Sequence, residues 1–150
     1  MEDELKDKLA KGWLHVYMLF EIIGKPKEHI TDVLNTIIKK LGEEKNVNIV
    51  KSKSHEAKPA KDSEEMFSSF AEVEVVTVNM ARVMEIIFDY MPSSVEILHP
   101  KNLKFNLSDA NGLLNDLSMR LHKLNMLTRT LIAQREALKN KIKETQDKKS

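Results

Sequence analysis

Leucine recurs every seventh residue at Leu117, Leu124, Leu131 and Leu138, and a companion series, Leu114, Leu121, Thr128, Arg135 and Ile142, runs three residues ahead of it. This is the spacing of an a/d seam with leucine at d. The spacing predicts a helix over 108–146, with Ser108 able to cap it and Gly112 a local weak point in its first turns. Its length would be about 57 Å at 1.5 Å per residue. The rest of the chain makes a body roughly 30 Å across, so a straight helix of that length overhangs it and must bury its apolar stripe against something, its own sheet or a partner. A second copy is the nearest candidate. The expected oligomer interface is therefore Leu114, Leu117, Leu121, Leu124, Leu131, Leu138 and Ile142, in a homodimer or higher oligomer. Thr128 and Arg135 interrupt the seam, and Leu113, Leu127 and Ile132 widen it beyond two positions in seven, as in helices that pack on sheets or in bundles.

Upstream of that helix the apolar period switches repeatedly. Leu14, Val16, Met18, Phe20 and Ile22 alternate and predict a strand over 13–23. Ile30, Val33, Leu34, Ile37, Ile38 and Leu41 make one helical stripe over 27–41, with Pro26 suited to its first turn and Gly42 to a left-handed C-terminal cap. A second strand is expected over 47–52 and a third over 67–78, with Ala71, Val73, Val75 and Thr77 on one face. Asn79 can cap a helix over 80–91 whose stripe is Met80, Val83, Met84, Ile87 and Met91. A fourth strand follows at 94–98, and Leu103, Phe105 and Leu107 alternate as in a short edge strand. The order β-α-β-β-α-β is the split βαβ signature. The expected fold is α+β: a ferredoxin-like sandwich over 13–107, with a four-stranded antiparallel sheet and both helices on one face, followed by the long C-terminal helix. Residues 1–12 form a polar segment able to make a short helix, 53–65 (KSHEAKPAKDSEE) a mobile polar loop, and 147–150 a basic tail.

Composition narrows function mainly by exclusion. The 150 residues contain no cysteine, which removes disulfides, thiolate metal sites and cysteine nucleophiles and suits a reducing, cytoplasmic setting. The acidic N-terminus has no apolar run of the signal-peptide kind, and the longest apolar stretch, 13–23, is about half of what a membrane span needs. Net charge is +1, unevenly placed. Residues 1–100 carry 13 Lys+Arg against 18 Asp+Glu, and residues 101–150 carry 11 against 5. The carboxylates of Glu21, Glu72 and Glu74 are accordingly expected near cations of the last helix, such as Arg120, Lys123 or Arg129, of the same or a partner chain.

No catalytic, metal or cofactor site is expected. The five histidines, His15, His29, His55, His99 and His122, show no i, i+4 pair and no HExxH. GxSxG, GxGxxG and P-loop patterns are absent. The face of the sheet away from the helices is the second candidate surface, carrying Trp13, Tyr17, Phe70, Glu72 and Glu74. Tyr17 and Phe70, expected side by side, resemble the base-stacking aromatics of RNA-recognition motifs. Glu72 and Glu74 beside them oppose phosphate, however, and MFSSFAEVEV lacks the basic and glycine positions of that family's motif. The leucine repeat is similar to a basic zipper only in part, because Lys139, Lys141, Lys143, Lys148 and Lys149 follow it rather than precede it, where they complement the helix dipole. Ligands of ACT-like regulatory domains, which share the expected topology, bind near the junction corresponding to Gly24–Lys27, a likeness of fold alone. The sequence thus points to a non-enzymatic, self-associating adaptor or scaffold with itself and another protein as partners. A small-molecule sensor and a nucleic-acid-associated protein using the lysine-rich helix are the alternatives.

Overall fold

A computed structural model of the chain describes residues 2–61 and 63–147. Asp62, in the expected loop, and 148–150, the expected basic tail, lie outside the described residues. The chain divides at Lys104/Phe105 into two compact units.

The first unit is an antiparallel sheet with two helices packed on one face and a shorter one over an end of the other. Its elements are α1 (Glu2–Ala10), β1 (Leu14–Gly24), α2 (Lys27–Glu43), β2 (Val47–Ser54), β3 (Lys58–Ala60), β4 (Ser63–Thr77), α3 (Met80–Tyr90) and β5 (Ser94–His99). The sheet has five strands, not the four expected, in the order β2-β4-β1-β5 with β3 paired to β4. Every pairing is antiparallel.

Period-two alternation decides which way the sheet faces. Leu14, Val16, Met18 and Phe20 of β1 and Ala71, Val73 and Val75 of β4 are buried on one face and form a single cluster with Leu34 and Leu41 of α2 and Val83 and Ile86 of α3. Both helices therefore lie on that face. In α3 the buried stripe is rotated from the expected one: Ile86 is buried and Tyr90 packs on the core, while Met91 is 65% exposed in the left-handed C-cap position. The caps explain the helix ends. Asn79 Oδ1 accepts from the Arg82 N–H at 2.9 Å, as expected. Gly42, by contrast, lies inside α2. A Cβ there would stand 3.3 Å from Ile49 Cδ1, so the glycine admits β2 close to the helix rather than turning the chain.

The segment 53–65, expected as a mobile loop, carries strand over most of its described length. β1 occupies one edge of β4 from Phe67 to Thr77, so β3, pairing with Phe67 and Ser68, must use the edge that β2 uses. β3 thus prolongs β2 past an irregularity at 55–57, and the two make one arm of a long hairpin. The arm's polarity hid it: Lys51 to Ser54 are exposed because the arm reaches beyond the covering helices, and an edge strand tolerates Pro59. Ala57, buried at 4% exposure, anchors the irregularity, and the Ser69 hydroxyl donates to the His55 carbonyl at 3.0 Å. The edge strand expected at 103–107 does not form. Leu103 and Phe105 lie in irregular chain, and three alternating residues are too few to hold a strand before a helix cap.

The second unit is dominated by α4 (Leu107–Asp147), 41 residues and about 61 Å long. Its cap is Asn106, whose Oδ1 accepts from the Asp109 N–H at 2.8 Å. Ser108, the expected cap, is already helical.

Candidate functional site

Two surfaces are candidates for function. On α4 none of the residues is buried. At 100° per residue the seam positions fall on one side: Ala110, Leu117, Leu124, Leu131 and Leu138 at d, and Leu107, Leu114, Leu121, Thr128, Arg135 and Ile142 at a. Leu114, Leu121, Leu131, Leu138 and Ile142 are each 53–61% exposed and Leu124 is 38% exposed, whereas Ala110 and Leu117 are half-buried. A surface depression on this side is lined by Leu138, Lys141, Ile142, Thr145 and Gln146, the concave ground between successive a and d side chains. The Thr128, Thr130 and Thr145 hydroxyls are satisfied within the helix, each donating to the carbonyl four residues back. Arg120 Nε reaches Asp116 at 3.0 Å, and Lys139 Nζ reaches Glu136 at 3.6 Å, pairings that support a solvated helix by about 0.3–0.5 kcal/mol each.

The sheet face away from α2 and α3 is more polar and partly covered. Register places Tyr17 opposite Glu74, Leu19 opposite Glu72, and Glu21 opposite Phe70. Tyr17 and Phe70 are therefore not side by side: four positions of strand, about 13 Å, separate them, and the expected stacking platform is not assembled. Phe70 instead stacks on His55, ring centroids 4.2 Å apart and planes 18° from parallel. Glu72 and Glu74, expected to meet cations of the last helix, have partners within the sheet. His55 Nε2 lies 3.1 Å from Glu72 Oε1, His15 Nε2 lies 3.0 Å from Glu74 Oε2, and Lys51 Nζ lies 3.5 Å from Glu74 Oε1. Cross-strand register, with Lys51 opposite Glu74, supplies the positive charge locally. Glu21 accepts from the Ser68 hydroxyl at 3.1 Å. Trp13 precedes β1, and the Lys8 ammonium sits 5.3 Å from its ring centroid. Lys8 also donates to Asn48 Oδ1 at 2.9 Å, so α1 lies over this end of the face, where Val76 is only 1% exposed. Among the described residues no three His, Asp or Glu side chains gather as a metal site, and no helix is long and apolar enough to cross a membrane.

At the β1–α2 junction, a Cβ on Gly24 would stand 2.9 Å from Ile30 Cγ2, and Lys25 Nζ meets Glu65 Oε2 at 3.1 Å. The junction is packed by Ile30 and its lysine is engaged.

Sequence reasoning missed one cluster. Arg82 of α3 bridges Glu85 and Glu44, and the Tyr90 hydroxyl donates to Glu44 Oε1 at 2.7 Å. Among the described residues, Arg82 Nε is buried without a hydrogen-bond partner. The Tyr90 hydroxyl, then Arg82, hold the Glu44 carboxyl below its ordinary value. Burial, then Glu44, push the Tyr90 phenol up to about 12. The cluster ties the end of α2 to α3. No signal in the sequence links residues 38 and 46 positions apart.

Tyr90→Phe is expected to cost about 1 kcal/mol at neutral pH, less than the usual ~1.5–3 kcal/mol for a bond to a charged acceptor because Glu44 is a third exposed. A lowered carboxyl contributes stability above its unfolded value of about 4.3 and loses it as pH falls through the folded value. A raised phenol contributes below about pH 10 and loses that as pH rises through the folded value. Urea denaturation should therefore show the Tyr90→Phe deficit shrinking toward acid pH. A deficit unchanged at about pH 3 would mean that the Glu44 carboxylate is not the partner that matters.

Comparison with curated proteins and with solved structures finds no match. A family model does match residues 15–149, from β1 through the last turns of α4 and beyond. The sheet body and the long helix thus fall within one family description, and the chain belongs to the MJ0538 family.

Proposed function

We propose that this protein is a non-enzymatic, self-associating adaptor or scaffold module, and that α4 joins its copies through the Leu114–Ile142 seam. The observation that carries this reading is a seam of large apolar residues on a helix with no buried residue. Each fully buried leucine is worth about 1.5–3 kcal/mol relative to an exposed one, so the stripe favours a partner of matching length and pattern. A second α4 matches both. The body then stands as the display element, with the half-buried face of Tyr17, Leu19, Phe70, Glu72 and Glu74 available to a further protein.

The same reading takes the body as a ferredoxin-like sandwich with an extended hairpin. Supporting this, β3 shares an edge of β4 with β2, so the strands occupy four lanes in the order β2/β3-β4-β1-β5, with α2 and α3 on one face. A cytoplasmic setting belongs to the proposal too, on the absence of cysteine.

Sedimentation equilibrium at micromolar concentration tests the association. The expected mass is a multiple of the 17.3 kDa chain, and a clean monomer would sink the reading.

A further inference from the structure

Resting on that self-association, we infer that two copies of α4 pair antiparallel, overlapped along the whole seam, with each a position of one helix opposite a d position of the other. In full overlap Leu107 faces Thr145 of the second copy, Leu114 faces Leu138, Leu121 faces Leu131, Thr128 faces Leu124, Arg135 faces Leu117, and Ile142 faces Ala110. Three observations select this arrangement over the parallel one.

The first is Arg135, the one charged residue at the seam positions. In a parallel dimer each a residue meets its own copy, which would set two guanidinium groups against each other in the interface. Like charges there are destabilising, and a charged or polar a residue is one of the devices that specify coiled-coil pairing. In the antiparallel dimer the guanidinium lies against Leu117 and reaches the acidic third of the partner.

The second is the charge distribution along α4. Residues 107–119 carry Asp109 and Asp116 and no Lys or Arg, whereas residues 133–145 carry Arg135, Lys139, Lys141 and Lys143 against Glu136 and Glu144. Antiparallel overlap brings a segment of net −2 onto one of net +2. Parallel overlap brings like onto like at both ends. Charge complementarity of this kind fixes orientation and register, and antiparallel helix dipoles add to it.

The third is side-chain size. Ala110 is the only alanine at the seam positions, and overlap centred on residue 126 sets it against Ile142, beside the depression lined by Leu138, Lys141, Ile142 and Thr145. Flanking positions raise no charge conflict. At g, Leu113 faces Lys141, Arg120 faces Gln134, and Leu127 faces its own copy. At e, Asn125 faces its own copy and Ser118 faces Ile132.

The chain has no cysteine, so single-cysteine variants give unique spin-label sites. Asn140→Cys lies on the outer side of α4 and Asn125→Cys near the centre. In the antiparallel dimer, residue 140 of one copy lies level with residue 112 of the other, an axial separation of 28 residues or about 42 Å. Residue 125 lies near its own copy. Pulsed dipolar spectroscopy on the full-length labelled proteins should give a distance of about 47 Å at 140, the axial 42 Å combined with a lateral spread of about 20 Å between the outer sides of two packed helices, and a short one at 125. A short distance at both sites would overturn the antiparallel arrangement while leaving association intact. A slip of one heptad would change the 140 distance by about 10 Å and overturn the register. Absence of dipolar coupling, with a monomer mass by sedimentation, would instead overturn the self-association on which the inference rests.

Discussion

Leu131→Asp is expected to raise the dissociation constant of the assembly at least about a hundredfold, while Met126→Asp leaves it within about threefold. A buried, unpaired carboxylate costs several kcal/mol, each 1.4 kcal/mol is a factor of ten, and in a dimer the substitution occurs twice. Hydrophobicity and exposure alone do not separate the two residues: Leu131 is 56% exposed and Met126 57% on the single chain. They differ in direction. Leu131 is at d, while Met126 lies about 140° away around the helix axis from it. The measurement is sedimentation equilibrium across a concentration series, with far-ultraviolet circular dichroism to show that the body remains folded. Equal weakening by both substitutions would mean that α4 associates without a defined seam. No effect from either would place the interface elsewhere, with the open sheet face the next surface to probe.

The same comparison shows what kind of information the sequence carried. Periodicity reports burial against a neighbour, and it was legible wherever the neighbour is an extended surface. Val16, Met18 and Phe20 alternate because one side of β1 faces the helices, and Ile30, Leu34 and Leu41 recur because one side of α2 faces the sheet. The β2–β3 arm runs beyond the helical cover, so its residues had no apolar period and 53–65 read as a loop. Caps were legible where only one side chain could act, as at Asn79, and ambiguous where Asn106 and Ser108 competed. Gly42 showed the limit of composition, because a glycine beside a helix end serves a turn or a close approach equally well and only the position of Ile49 decides. Long-range polar contacts left no trace. Glu72 and Glu74 were visible as carboxylates on the open face, but their histidine partners, and the Glu44–Arg82–Tyr90 tie, depend on register and helix crossing that no local pattern encodes.

Leu34→Ala is expected to be the most destabilising conservative change in the body, costing about 3–4 kcal/mol and lowering Tm by roughly 10 °C. Leu34 is 1% exposed and lies in the central cluster, where α2 meets the sheet among Met18, Val73 and Val83. Truncating a leucine in such a site removes the transfer energy of its lost methyl groups and leaves a cavity that the surroundings close only in part, about 2–5 kcal/mol in all. At this chain length each kcal/mol moves Tm by about 2–4 °C. Ile23→Ala supplies the contrast. It is in the adjacent strand and equally aliphatic, but 57% exposed, so its loss should stay within about 0.5 kcal/mol. Chemical denaturation monitored through Trp13 would measure both. The informative readout is the pairing with association. The core and the seam belong to different compact units, so Leu34→Ala should lower the unfolding midpoint of the body while leaving the dissociation constant near its original value, and Leu131→Asp should do the reverse. If Leu34→Ala weakened association as strongly as Leu131→Asp, the body's own surface would have to form part of the interface, and the helix-only assembly would be wrong.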